Sequence, residues 1–126
     1  MDNRDESILN HIERYCEDIE SFVDRFGKDF DLFTSDRAYF NAVAMCVLQI
    51  GELSGSLSDE YRRKTSEKIP WTHIKGMRNI VAHNYGSLDE EILWMTTIND
   101  IPVLRAFCKE ELRQDINSWV ILSYFI

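Results

Sequence analysis

The sequence predicts an all-α fold, a bundle of four to five helices running up and down. Three observations predict it. Apolar residues recur at spacings of three and four along most of the chain, the period of an amphipathic helix. Glycine and proline are scarce, five and two, and β-branched runs are few, which disfavours a turn-rich β fold. Between the periodic stretches stand Ser, Thr, Asp, Pro and Gly, the residues that start and stop helices. A chain of 126 residues fits one domain with a modest core.

The first helix is written by Ile8, Leu9, Ile12, Tyr15, Cys16, Ile19, Phe22, Val23 and Phe26, with Gly27 as its stop. Thr34, Ser35 and Asp36 offer N-caps for the second, AYFNAVAMCVLQIGELSGSL. That helix is apolar on several faces, so it is central or covered by a partner as well as by its own domain. A short polar helix follows around Ser58 to Thr65. Pro70 suits the first turn of the next, which turns Trp71, Ile74, Met77, Ile80 and Val81 inward. Asn84-Tyr85-Gly86 breaks it, and Ser87-Leu88-Asp89-Glu90 has the form of a capping box with Ser87 at the cap. One long final helix is expected from Leu88 to Cys108, bent near Ile101 by Pro102. The helical domain is set at residues 1–112. Residues 113–126 form an apolar tail; its SWVILSYFI end lacks helical spacing and is expected to pack on the bundle or on a second copy.

Charge narrows the function. The formal net charge is −8, which argues against a general nucleic-acid coat. It is unevenly spread. From Arg62 to His83 there are six Lys and Arg and one Glu, a net +5 that leaves −13 for the remainder. Such an island suits a local anionic ligand, or is one solvated helix face. The three cysteines, Cys16, Cys46 and Cys108, lie far apart in apolar patterns and form no CxxC. They read as buried reduced thiols of a cytoplasmic protein. The charged start, MDNRDESILNH, has no signal-peptide core, and nothing approaches the roughly 20 apolar residues of a membrane span. No histidine spacing points to a metal, and no cofactor is implied. His11 reads as solvated, and Trp71 and Trp94 as core.

The segment RNIVAHNY, Arg78 to Tyr85, gathers an arginine, an asparagine, a histidine and a tyrosine. Arg78 and His83 point about 140° apart on a straight helix. They meet on one phosphate only if the helix frays near Ala82 or a second protomer brings its own copy. Asn79 shares a face with His83. Cleaving RNA needs no metal, because the ribose 2′-OH is the nucleophile. It needs an acid–base group, which His83 supplies, and a cation for the phosphorane charge, which Arg78 supplies. Lys75 and His73, in the basic island, are candidate RNA contacts. The same residues would also serve as a helix end completing its dipole.

RNIVAHNY resembles the R-x4-H-x-Y signature of HepT-like proteins of the HEPN superfamily. QIGELSGSLS, IPW, GMRN and LDEEILWMTTINDIPVL resemble that family too, so the likeness covers roughly residues 5 to 112. It implies an all-helical homodimer and a metal-independent ribonuclease toxin. The arginine and histidine, here Arg78 and His83, would lie at the dimer cleft. It implies an MntA-type nucleotidyltransferase antitoxin as partner, which adds AMP to the motif tyrosine, here Tyr85. Asn79 would support His83 or the phosphate. RNA would be the substrate, not DNA, and no membrane is implied. Gly51-Glu52 fits the family without giving Glu52 a role. The alternative is a non-catalytic HEPN module that docks a nucleotidyltransferase or binds nucleotide.

Overall fold

The computed structural model describes residues 1–84 and 89–125, of which 80, 82–84, 117–119 and 125 are described by backbone alone. Seven α-helices and one π-turn make up the described chain: α1 (Asn3–Phe26), α2 (Phe30–Ser35), α3 (Arg37–Ser56), α4 (Asp59–Thr65), α5 (Trp71–Asn84), α6 (Glu90–Met95), the π-turn (Thr96–Asp100) and α7 (Ile101–Phe125). The fold is all-α, as the periodicity predicts. Among the described residues no single helix is long and apolar enough to cross a membrane.

Helix α3 is central. It packs most extensively on α5 and α1, and α1 in turn on α7. That accounts for its several apolar faces: Val43, Ala44, Val47 and Ile50 are all buried. Leu9, Ile12, Cys16 and Ile19 line the inner stripe of α1 with no exposed area. Phe33 of α2 lies 5.1 Å from the Tyr39 ring and 5.0 Å from the Trp94 ring, so Trp94, half-buried, packs against the core.

Four details depart from the sequence reading. Helix α2 lies before the predicted second helix; Asp29 caps it, and Asp36 both ends it and caps α3. The cap of α6 is Asp89, whose carboxylate accepts from the Glu91 and Ile92 amides at 2.9 and 3.2 Å. A carboxylate is among the best caps, and the expected Ser87 lies outside the described residues. The long final helix is interrupted by the π-turn. Pro102 has no N–H to give to the carbonyl four residues back, and the Ile101 amide reaches the Thr96 carbonyl, five back. Finally, the tail continues α7 to Phe125. Ile116, Val120, Ile121, Leu122 and Tyr124 are exposed there, so the bundle leaves these five side chains uncovered.

Burial holds the three free thiols in check. Cys46 is pushed up to about 11 and Cys108 to about 12, and Cys16 is raised further, chiefly by desolvation.

Asp5 is the one buried carboxylate among the described residues. It accepts from the Ser58 amide at 2.9 Å and the Ser58 hydroxyl at 2.7 Å. Ser58 in turn caps α4 through the Tyr61 amide. The start of α1 is thereby pinned to the start of α4. Asp5→Ala strands both Ser58 donors, so unfolding in urea should show a loss of about 2 to 3 kcal/mol. An unchanged midpoint would mean that water replaces the carboxylate without cost.

Candidate active site

Helix α5 carries the motif. Pro70 opens it, its carbonyl accepting from the His73 and Ile74 amides at 3.0 and 3.2 Å. Trp71 anchors the first turn: its indole N–H donates to Thr65 Oγ1 at 2.8 Å, and its ring meets Phe107 edge-on. Met77 and Val81 face the core. The opposite flank is left for chemistry.

That flank is set by glycines of α3. A Cβ on Gly51 would lie 2.5 Å from Arg78 Cβ, and one on Gly55 would lie 3.6 Å from the Lys75 side chain. The pairs run in opposite order, so α3 and α5 are antiparallel, and of these two approaches the one at Arg78 is the closer. A side chain at position 51 would hold the helices apart.

Glu52, beside Gly51, therefore reaches Arg78. Its carboxylate accepts from Arg78 Nε, and Asn79 Oδ1 accepts from Arg78 Nη1 at 3.1 Å. The Arg78 side chain is about a third exposed (36%). A guanidinium has five N–H donors, so two held bonds leave others for a phosphate. The two contacts orient the fork and shorten the list of rotamers it must give up on binding. Glu52 is the site residue whose role sequence reasoning missed. The signal was present, an acid next to a glycine on the neighbouring helix, but reading it required the α3–α5 register.

The structure separates the two proposed RNA contacts. Lys75 lies three residues before Arg78, on the same flank. His73 lies on the other. It lines an apolar cavity of about 170 Å³ with Ile50, Ile74, Met77 and Leu104, and shares an adjoining pocket with Asp89, Glu91 and Asp100. Those carboxylates disfavour a phosphate beside His73.

Helix α5 remains helical to Asn84, so the chain does not fray near Ala82. Positions 78 and 83 lie five residues apart on that continuous backbone helix. The side chain of His83 and the whole of Tyr85 lie outside the described residues, and so does any support that Asn79 gives His83.

An all-helical bundle carrying an R-x4-H motif on one core-packed helix is consistent with the class of HEPN domains. The profile of the family described as Ribonuclease HepT-like matches residues 12–111. The chain belongs to that HepT-like ribonuclease family. It is 35% identical over 107 residues to a protein of Caldanaerobacter subterraneus subsp. tengcongensis named "Putative RNase", covering 85% of this chain and 93% of that one. It is 32% identical to a "Probable ribonuclease HepT" of Thermococcus cleftensis, over 79% of this chain and 90% of that one. A "Putative RNase" of Methanocaldococcus jannaschii is also 32% identical, over 66% of this chain and 77% of that one. No solved structure matches the chain.

Proposed function

We propose that this chain is a metal-independent endoribonuclease, the toxin of a toxin–antitoxin pair, with a site composed of Arg78 and His83 from two copies. The observation that carries the reading is the Arg78 guanidinium held by Glu52 and Asn79 on an exposed flank, in a chain of the HepT-like family. In the reaction a ribose 2′-OH gives its proton to a base and attacks the adjacent phosphorus. The 5′-oxygen leaves and takes a proton, and the product ends are a 2′,3′-cyclic phosphate and a 5′-OH. His83 moves protons, Arg78 meets the phosphorane charge, Asn79 holds Arg78, and Lys75 contacts the flanking strand. The geometry favours two copies: within one straight helix the two side chains diverge, and a symmetric partner brings a second set to the same cleft.

Control is assigned to Tyr85. Its hydroxyl would take AMP from ATP, with release of pyrophosphate, through an MntA-type nucleotidyltransferase. The added phosphodiester puts negative charge and bulk where RNA phosphate would sit. Co-expression with the cognate nucleotidyltransferase should raise the mass by whole AMP units and silence cleavage of cellular RNA. Tyr85→Phe should keep its nuclease activity and escape silencing. If Tyr85→Phe is silenced as fully as wild type, the partner acts by blocking the cleft.

A further inference from the structure

The basic island seen in the sequence is divided by the fold. Lys64 and Lys68 line a pocket shared with Glu111 and Asp115 of α7. Arg62, Arg63 and Lys75 instead line a broad open groove of about 760 Å³ between α4 and the start of α5, with Ser66 and Thr72. Asp59 is the one carboxylate in that groove, and it is already paired with Arg62. On a chain of formal charge −8, this is a locally cationic channel.

Its position matters more than its charge. Lys75 and Thr72 lie on the flank of α5 that also holds Arg78 and Asn79. Lys75 is about 4.5 Å, just under one turn, before Arg78 along the helix axis. The other flank is barred to phosphates by Asp89, Glu91 and Asp100. The floor offers no stacking platform for bases. Trp71 lines it but is only 4% exposed, and its N–H is already given to Thr65. Cations and hydroxyls without an open aromatic ring fit a sugar–phosphate backbone rather than a base sequence.

We propose that this groove holds the backbone of the RNA strand on one side of the scissile phosphate, with Arg63 and Lys75 as the two principal charge contacts. The proposal rests on the ribonuclease reading above and extends it: the flanking strand is single-stranded, is bound without regard to sequence, and leaves the cleft along α4.

The test uses the full chain and a fully 2′-O-methylated single-stranded RNA, which binds but is not cut. Its affinity is measured over a salt series for wild type and for the double variant Arg63→Gln/Lys75→Gln. Both residues are exposed, and circular dichroism checks that the variant folds. For single strands each phosphate contact contributes about 0.7 to the salt slope. The variant should lose about 1.4 from the slope and bind at least about tenfold more weakly at low salt. Lys64→Gln/Lys68→Gln removes the same net charge from the other side of α4 and should leave the slope near wild type. Equal slopes for wild type and Arg63→Gln/Lys75→Gln overturn the groove, as does equal loss in both double variants, which would report net charge alone. Wild type that fails to bind this RNA also overturns it. Wild type whose slope falls by about 1.4 in Arg63→Gln/Lys75→Gln, yet which leaves unmethylated RNA intact, refutes catalysis and upholds the groove.

Discussion

Purified Arg78→Ala and His83→Ala proteins are expected to cleave RNA about 10² to 10⁴ times more slowly than wild type, with helical content unchanged. Loss of His83 would remove the proposed proton carrier. Loss of Arg78 would remove the proposed charge opposite the phosphorane and leave Glu52 without its partner at the site, where it would repel the substrate. The composite arrangement adds a sharper expectation. In a symmetric pair that takes arginine from one copy and histidine from the other, mixing the two dead variants rebuilds one intact site in each mixed dimer. Random exchange should then restore about a quarter of wild-type activity. Mixtures as inactive as their parents would place both groups on one copy or require both sets at once. Full activity in pure His83→Ala protein would remove histidine from the chemistry.

Gly51→Ala is the second change with a large expected effect. Its new methyl would meet the Cβ of Arg78 at 2.5 Å and its backbone Cα and N at 3.1 Å, not the tip of a flexible chain. No rotamer relieves that contact, so α3 and α5 must separate. Overpacking of this kind costs about 1 to 3 kcal/mol. The gain from replacing a mid-helix glycine is smaller, about 0.5 to 1 kcal/mol. The variant should therefore melt earlier, and by shifting Arg78 from Glu52 it should also lose at least about tenfold in cleavage rate. Gly55→Ala and Gly76→Ala are the controls. The first meets only the Lys75 side chain at ordinary distance, and the second meets nothing within 4 Å. Gly76→Ala should gain about 0.5 to 1 kcal/mol. A Gly51→Ala protein as stable and as active as Gly55→Ala would show that the helices do not need this close approach.

Most of the architecture was legible in the sequence because it rests on local rules. The stripe of α1, the apolar breadth of α3 and the Pro70 start of α5 are periodicity and capping, and they appear where they were read. What was not legible depends on partners distant in sequence. Asp5 has no local mark of importance; only the fold brings it to Ser58. Glu52 is an exposed acid on a helix until Gly51 lets α5 lie against it. His73 and Lys75 look equivalent in a list of basic-island residues, yet two residues on a helix are about 200° apart, so one meets the acidic pocket and the other the basic groove. The π-turn lay between bend and break: Pro102 announced a disturbance, but not that the helix would absorb it by widening one turn. The tail failed for another reason. Its apolar residues occupy every face, so no period marks it as helix.

The most direct test of the central claim is the chemistry of the cut ends. Wild-type protein, freed of metal by EDTA, is incubated with a single-stranded RNA and with the same strand carrying one 2′-deoxy nucleotide at the cut position. The first should be cleaved in EDTA, leaving a 2′,3′-cyclic phosphate and a 5′-OH, and the second should not be cleaved at the deoxy position. Cleavage that EDTA abolishes, that proceeds at the deoxy position, or that leaves a 5′-phosphate would contradict the claim.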